Sequence, residues 1–229
     1  MFGMLIESRD LVSVSFEVAT IATFTTAVLA FLSLSWTTIQ WRLTVALSGV
    51  ALLASGFHYL EATDIWLFSN KMTATHRYIG WFVVHPLQVV AVFFYARTVG
   101  KLPVGIFWRI LIAAMLMVLA RFLGDGSYFG PTLGVLISIA FWLYILGEMY
   151  FGHIGENIAR SNDTVKRGYF WIRLIMTIGW AIYPIVYFVD VVIGVGHTDS
   201  VVFIYSLADL LNLITVSMIV VGVAGKESY

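Results

Sequence analysis

The chain has 229 residues, of which 60% are hydrophobic and 11% are charged, with a mean hydropathy of +0.92. A soluble domain carries roughly 25% charged residues, so this composition excludes an ordinary soluble protein and favours a lipid bilayer as the solvent. Thirteen Lys and Arg balance thirteen Asp and Glu, and there is no Cys, which excludes the basic surface of a nucleic-acid-binding protein, disulfides and thiolate metal sites.

Seven apolar stretches follow one another along the chain. A helix needs about 20 apolar residues to cross a hydrocarbon core of roughly 30 Å, and each stretch reaches that length. The stretches run from Leu11 to Trp36, Leu43 to Phe68, Thr75 to Thr98, Val104 to Leu123, Pro131 to Gly155, Gly168 to Gly194 and Ser200 to Gly225. Short turn-forming breaks separate them. We therefore predict one all-α domain over residues 1–229, a bundle of seven transmembrane helices in the cell membrane.

The positive charges at the helix ends predict the orientation. One side of the membrane collects most of them, whereas the other side has Arg9 and Lys71. Positively charged loops remain in the cytoplasm, so we expect a cytoplasmic carboxyl terminus and an external amino terminus. The first ten residues contain no basic region ahead of an apolar run, which is not typical of a cleaved secretory signal.

Polar side chains inside apolar spans are the first candidates for function, because each is unfavourable in lipid unless it faces the bundle interior. The candidates are Glu17, His58, Glu61, Arg77, His85, Glu148, Asp190 and Asp209. His58 and Glu61 are three residues apart and share one helix face. Arg77 and Asp209 are expected to pair if their helices touch, either as a structural strut or, together with His58, as a proton or ion path.

Three motifs resemble those of the microbial rhodopsin family, and of its proteorhodopsin branch in particular. Residues 77–87 (RYIGWFVVHPL) are similar to the third-helix signature, in which Arg-Tyr precedes an acid, Trp and Thr-x-Pro-Leu. Residues 180–184 (WAIYP) resemble the sixth-helix motif of the retinal pocket, and residues 205–212 (YSLADLLN) resemble the seventh helix. The His58-Tyr59 pair and the tail at residues 225–228 also resemble proteorhodopsins.

The resemblance implies a pocket in the bundle centre. Trp81 and Trp180 are expected to sandwich a polyene between their rings. The other residues implied to line the pocket are Met117, Trp142, Tyr183, Pro184 and Tyr187. Without the order of the motifs, an ordinary packed core would be the favoured interpretation of these aromatic residues.

The departures from the family pattern change the expected chemistry. The lysine that forms the Schiff base with retinal should stand four residues after Asp209, and that position is Leu213. The four lysines of the chain all lie in or beside loops: Lys71, Lys101, Lys166 and Lys226. Because a Schiff base needs an amine inside the pocket, we expect no covalent retinal.

The positions that handle protons in the family also differ. The counterion and proton-acceptor position is Gly80, the threonine one turn later is Val84, and the proton-donor position is Ala91. Without a protonated imine, a carboxylate at position 80 would be an uncompensated buried charge, which explains a glycine there. Leu213 and Gly80 therefore complete the set of candidate site residues.

Two polar residues have no counterpart in the family pattern. Glu17 is expected at a protomer boundary, in contact with His58 within or between protomers. His85 is expected below the pocket, where its ring would bond a polar ligand end or, as we favour, the backbone carbonyl that Pro86 leaves free.

Three functions remain open. The chain is not expected to be an enzyme. The first hypothesis is a lysine-less rhodopsin that binds retinal, a carotenoid or another apolar molecule non-covalently. Such a protein would act as a sensor, carrier or partner subunit. The alternatives are a light-driven proton pump or photoreceptor of proteorhodopsin type, and a light-independent proton or ion conduit. We expect no metal site, since Glu17, His58 and Glu61 form a thin ligand set. A homo-oligomer of about five subunits is implied by the resemblance, or a hetero-oligomer with another rhodopsin.

Overall fold

The computed structural model describes residues 10–69, 71, 74–194 and 198–229. Within these residues the chain forms eight α-helices and one π-helical segment. They are α1 (Leu11–Ser33), α2 (Ile39–Ser69), α3 (Ala74–Arg97), α4 (Val104–Asp125), α5 (Pro131–Tyr150), α6 (His153–Ile158), α7 (Asp163–Tyr187), the π-helical segment Phe188–Ile193 and α8 (Thr198–Lys226). Seven helical segments are long and apolar enough to cross a membrane, which confirms the predicted seven-helix all-α bundle.

Several helix boundaries differ from the prediction by a few residues, and two differences are the largest. The fifth apolar stretch was expected to run to Gly155, but α5 ends at Tyr150 and a turn separates it from the short α6. The sixth stretch was expected to begin at Gly168, but α7 begins at Asp163 because the side chain of Asn162 accepts a hydrogen bond from the amide of Val165 at 3.0 Å. Such an N-cap satisfies an amide that the helix leaves unpaired.

The crossing helices form a closed ring. Successive helices pack side by side, and α8 packs against both α7 and α1, so the last helix closes the bundle on the first. The closest approach is between α4 and α5, where a Cβ on Gly134 would lie 2.7 Å from the carbonyl oxygen of Ala120. Small residues allow such backbone contact between membrane helices.

One N-cap also ties two helices together at the amino-terminal end. The carboxylate of Asp10 accepts hydrogen bonds from the amides of Val12 and Ser13 at the start of α1, and from Nε1 of Trp66 in α2 at 2.7 Å. Helix α3 is a member of this ring and packs between α2 and α4. Its buried face, which includes Tyr78, Trp81 and His85, lies toward the interior of the bundle.

Candidate functional site

A cavity of about 520 Å³, counting its open mouth, lies between α3, α4, α5 and α7, and we call it the front cavity. Its lining residues are Trp81, His85, Met117, Val118, Arg121, Val135, Ser138, Ile139, Trp142, Trp180, Tyr183 and Pro184. Six of the eight residues expected to bind a ligand stand in this wall. The mostly apolar, aromatic lining is typical of sites for small molecules.

Tyr187 was expected in the same wall, and this expectation is wrong. Its ring lies beside the cavity, where the guanidinium carbon of Arg121 sits 4.3 Å from the ring centroid. A guanidinium over an aromatic face is a favourable contact. Tyr187 therefore supports a residue of the wall instead of facing the cavity.

A second and much smaller space, about large enough for one water molecule, lies on the other side of Trp81 and Trp180, and we call it the rear cavity. Its lining residues are Ser55, His58, Tyr59, Gly80, Trp81, Val84, His85, Gln88, Trp180, Tyr183, Asp209, Asn212 and Leu213. Leu213, the remaining predicted ligand-binding residue, is 3% exposed and belongs to the hydrophobic core. The rear cavity thus combines the polar residues of α2 and α8 with an apolar residue at position 213.

Asp209 lies at the centre of the polar groups, and its carboxylate accepts hydrogen bonds from three neutral donors. The hydroxyl of Tyr59 donates to Oδ2 at 2.6 Å, Nε1 of Trp81 donates to Oδ2 at 2.8 Å, and the hydroxyl of Tyr183 donates to Oδ1 at 2.5 Å. These donors come from α2, α3 and α7, so one carboxylate of α8 joins three other helices. Several hydrogen bonds satisfy a buried carboxylate without an adjacent cation.

The prediction of an ion pair between Arg77 and Asp209 is wrong. Arg77 forms no ion pair with this carboxylate, and its guanidinium carbon lies 4.7 Å from the centroid of the Tyr205 ring instead. Tyr205 precedes Asp209 by one helical turn, so the two helices do meet as expected. The guanidinium of Arg77 packs on the Tyr205 ring, because Tyr59, Trp81 and Tyr183 already surround the carboxylate of Asp209.

His58 stacks on His76, with ring centroids 4.6 Å apart and an interplanar angle of 18°. Its ring also covers the backbone of Gly80, where an added Cβ would lie 2.6 Å from His58 Cγ. His58 is half-buried between α2 and α3. His76 was not among the predicted polar residues, although its position one residue before Arg77 places it on the same inward-facing turn.

The two glutamates expected near His58 lie elsewhere. Glu17 and Glu61 are both exposed on the outer surface of the bundle, so no contact between Glu17 and His58 forms within one chain. Among the described residues, no group of three or more His, Asp or Glu side chains is placed to hold a metal ion.

His85 packs among aromatic rings. Its ring centroid lies 4.9 Å from that of Trp180 and 5.6 Å from that of Trp81. Within the described residues its buried Nδ1 has no hydrogen-bond partner of standard geometry, and the ring approaches the backbone of Trp81 one turn earlier. The expected bond from His85 to the carbonyl that Pro86 leaves free is not among the hydrogen bonds of the described residues.

Sequence reasoning missed a second charged cluster next to the front cavity. Arg121 forms an ion pair with Asp125 at 2.5 Å, and the hydroxyl of Tyr78 also donates to Asp125. The fourth apolar stretch was predicted to end at Leu123, whereas α4 continues through Asp125. The signal was available, since opposite charges four residues apart at the end of an apolar stretch are typical of a helical ion pair.

Comparison with known proteins identifies the relatives of this fold. The model of the family of bacteriorhodopsin-like proteins matches residues 10–226. The blue-light absorbing proteorhodopsin of Gamma-proteobacterium Hot 75m4 is 28% identical over 225 residues, which cover 97% of this chain and 90% of that protein. The green-light absorbing proteorhodopsin of Gamma-proteobacterium EBAC31A08 is 25% identical over 224 residues, which cover 97% of this chain and 90% of that protein.

A solved structure agrees with these relatives. The crystal structure of the blue light-absorbing proteorhodopsin from Med12 has a TM-score of 0.81 and 26% identity, and the match covers 95% of this chain and 100% of that one. The family match over nearly the whole chain, together with the seven membrane-spanning helices, shows that this multi-pass protein of the cell membrane belongs to the bacteriorhodopsin-like family.

Proposed function

We propose that this rhodopsin-family protein binds an apolar molecule non-covalently in the front cavity and forms no Schiff base with retinal. The observation that carries the proposal is Leu213. It stands four residues after Asp209, in the wall of the rear cavity, where the family resemblance requires a lysine. A leucine side chain has no nucleophilic nitrogen, so an aldehyde has nothing to condense with at this position.

The lysines of the chain support the proposal. Lys71, Lys101, Lys166 and Lys226 are all exposed, and they lie at the ends of helices or between them. None of them lines the front or the rear cavity. The residues present therefore do not fit a covalently bound retinal, and we derive no photochemical step from one.

The front cavity supports binding of an apolar molecule. Trp81, Trp142 and Trp180 present three indole rings to one space, and Met117 adds a polarisable side chain that adapts to irregular shapes. Retinal, a carotenoid or another apolar molecule would be held by burial of its hydrocarbon surface, at roughly 25 cal/mol per Å². The protein would act as a membrane sensor, carrier or partner subunit rather than as an enzyme, with its carboxyl terminus in the cytoplasm.

Borohydride trapping tests the absence of the covalent bond. The purified protein is incubated with all-trans retinal, reduced with borohydride, denatured and analysed by intact mass. We expect no retinyl group on the chain, because reduction fixes only an imine. A retinyl adduct, or a light-driven pH change in cells supplied with retinal, would contradict the proposal and restore the pump or photoreceptor of proteorhodopsin type.

A pair of methionine variants tests binding in the cavity. Met117 lines the front cavity, whereas Met115 on the same helix is 37% exposed on the outside of the bundle. In lipid nanodiscs, β-ionone and all-trans retinal are each titrated against the protein, Met117→Trp and Met115→Trp. We expect saturable binding of at least one probe that is lost in Met117→Trp and kept in Met115→Trp. Equal binding by all three proteins, or binding by none, would contradict the proposal.

A further inference from the structure

The front and rear cavities share one wall. Four side chains line both spaces: Trp81, His85, Trp180 and Tyr183. We call these four residues the partition. On one side of it lie Met117, Trp142 and the open mouth, and on the other side lie Leu213 and Asp209.

The partition is held by ring contacts and by the acid of α8. The rings of Trp81 and Tyr183 have centroids 5.0 Å apart, and both residues donate to Asp209. His85 touches Trp81 and Trp180, and among the described residues these two indoles make no ring contact with each other. The imidazole of His85 thus lies between the two rings that were expected to sandwich a polyene.

Two nitrogens inside the partition make no hydrogen bond of standard geometry to the described part of the chain. They are Nδ1 of His85 and Nε1 of Trp180, in side chains that are 6% and 3% exposed. A buried polar group without a partner is unfavourable by about 1–3 kcal/mol. Because an indole N–H only donates, a ligand oxygen that reached Trp180 would have to be an acceptor.

The charge next to the front cavity favours a neutral oxygen. Arg121 contributes its guanidinium to the lining, but its charge is matched by Asp125 in the ion pair at 2.5 Å. A carboxylate would therefore enter a site whose cation is already paired. A ketone or aldehyde oxygen needs no counter-charge.

We propose that the partition limits the ligand of the front cavity to a short apolar molecule with one carbonyl oxygen, and that His85 sets this limit. The proposal rests on the proposed function and names the class of ligand for the same site. A full-length polyene would have to pass between Trp81 and Trp180, where the imidazole stands. Removal of this ring is expected to join the two cavities.

Thiol labelling tests the partition without any ligand. The chain contains no cysteine, so Met117→Cys and Leu213→Cys each place a single thiol, in the front and the rear cavity respectively. We expect N-ethylmaleimide to label Met117→Cys readily and Leu213→Cys about tenfold more slowly, because labelling requires access to the thiol. Adding His85→Ala to Leu213→Cys should raise its labelling rate about tenfold. Equal labelling of Leu213→Cys with and without His85 would overturn the partition.

Ligand titration in nanodiscs tests the length limit. The protein should bind β-ionone, a ring ketone, about tenfold more tightly than all-trans retinal, which carries the same ring on a longer polyene. His85→Ala should bind retinal about tenfold more tightly than the unmodified protein does. His85→Leu keeps a side chain of similar bulk without the nitrogens, so it should still exclude retinal and bind β-ionone more weakly. His153→Ala, which removes an exposed histidine of α6, is the matched control and should change neither affinity.

The outcomes separate this inference from the proposed function. Equal affinity for retinal in the unmodified protein and in His85→Ala would overturn the length limit, while binding in the front cavity would stand. Failure of every variant to bind either probe would overturn the ligand class together with the proposed function. In that case slow labelling of Leu213→Cys, relieved by His85→Ala, would still establish the partition.

Discussion

The imidazole of His58 occupies the space that a side chain at Gly80 would need. A Cβ at position 80 would lie 2.6 Å from His58 Cγ and 2.7 Å from Nδ1. The glycine was interpreted from the sequence as the removal of an acid that no longer has a charge to balance. The geometry adds a steric reason, because the inward position of His58 requires that residue 80 have no side chain.

We predict that Gly80→Ala lowers the free energy of unfolding by about 1–3 kcal/mol, since His58 must move to admit the methyl group. Reversible unfolding in mixed detergent micelles measures this change. In the background of His58→Ala the same substitution should be nearly neutral. Gly222→Ala is the control, because a Cβ there would meet no atom within 4 Å. Equal losses at positions 80 and 222 would contradict the steric account.

A double-mutant cycle distinguishes the observed partners of Asp209 from the predicted one. Tyr183→Phe and Asp209→Asn act on one hydrogen bond, so their effects on the free energy of unfolding should deviate from additivity by about 0.5–3 kcal/mol. Arg77→Gln and Asp209→Asn should be additive to within about 0.5 kcal/mol, since the two side chains form no ion pair. Strong coupling between Arg77 and Asp209 would show that they pair after all.

Restoring a lysine should not by itself restore a full pigment. Leu213→Lys places an amine in the rear cavity, but His85 separates that space from the front cavity and Gly80 supplies no acid. We expect little visible absorption with retinal from Leu213→Lys alone and more from Leu213→Lys with His85→Ala. Adding Gly80→Asp should increase this visible absorption only when His58 is also replaced by Ala, because His58 occupies the space that the new side chain needs. A complete pigment from Leu213→Lys alone would show that Asp209 serves as the counterion without further change.

Asp10 should make the free energy of unfolding depend on pH in the acidic range. Burial raises its pKa, but hydrogen bonds from Ser13, Trp66 and Val12 outweigh that effect, so the pKa lies below its ordinary value of 3.8. The ionised cap therefore stabilises the fold above the ordinary pKa, and the stabilisation is lost as pH falls through the lowered value. Asp10→Asn keeps a capping oxygen but should lose this part of the dependence, measured by unfolding at a series of acidic pH values. An unchanged profile would contradict the role of the carboxylate.

The oligomeric state remains a prediction from the family resemblance. We expect a homo-oligomer of about five subunits, with the exposed Glu17 at the boundary between protomers, or a hetero-oligomer with another rhodopsin. Light scattering on protein in several mild detergents measures the assembly. Glu17→Gln should weaken it if the carboxylate contacts a neighbouring subunit near His58. Monomers in every detergent would contradict the prediction.

Much of the fold follows from patterns that the bilayer imposes on the sequence. Length and hydropathy alone predict seven crossing helices, since a helix that spans lipid must satisfy its own backbone groups. The break between α5 and α6 lay inside an apolar stretch, so hydropathy could not reveal it. Motif order predicted Trp81, Trp142 and Trp180 in one wall, and all three line the front cavity.

The pairing of polar side chains was harder to predict. Arg77 and Asp209 carry opposite charges on adjacent helices, and charge alone favours a pair. The actual arrangement depends on Tyr59, Trp81 and Tyr183, whose hydroxyl and indole groups reach the acid only in three dimensions. The position of His85 between two indoles likewise depends on rotamers and helix rotation, which spacing along one helix does not determine.

The amide of Asn157 in the short helix α6 reaches across to the end of α3. Its Nδ2 donates to the carbonyl oxygens of Ala96 at 2.8 Å and Gly100 at 3.2 Å, which lie in the last turn of α3 and just beyond it. Helix α3 is also the element that carries Gly80 and His85. The connection between α5 and α7 is thereby anchored to the helix that supplies Trp81 and His85 to the walls of both cavities.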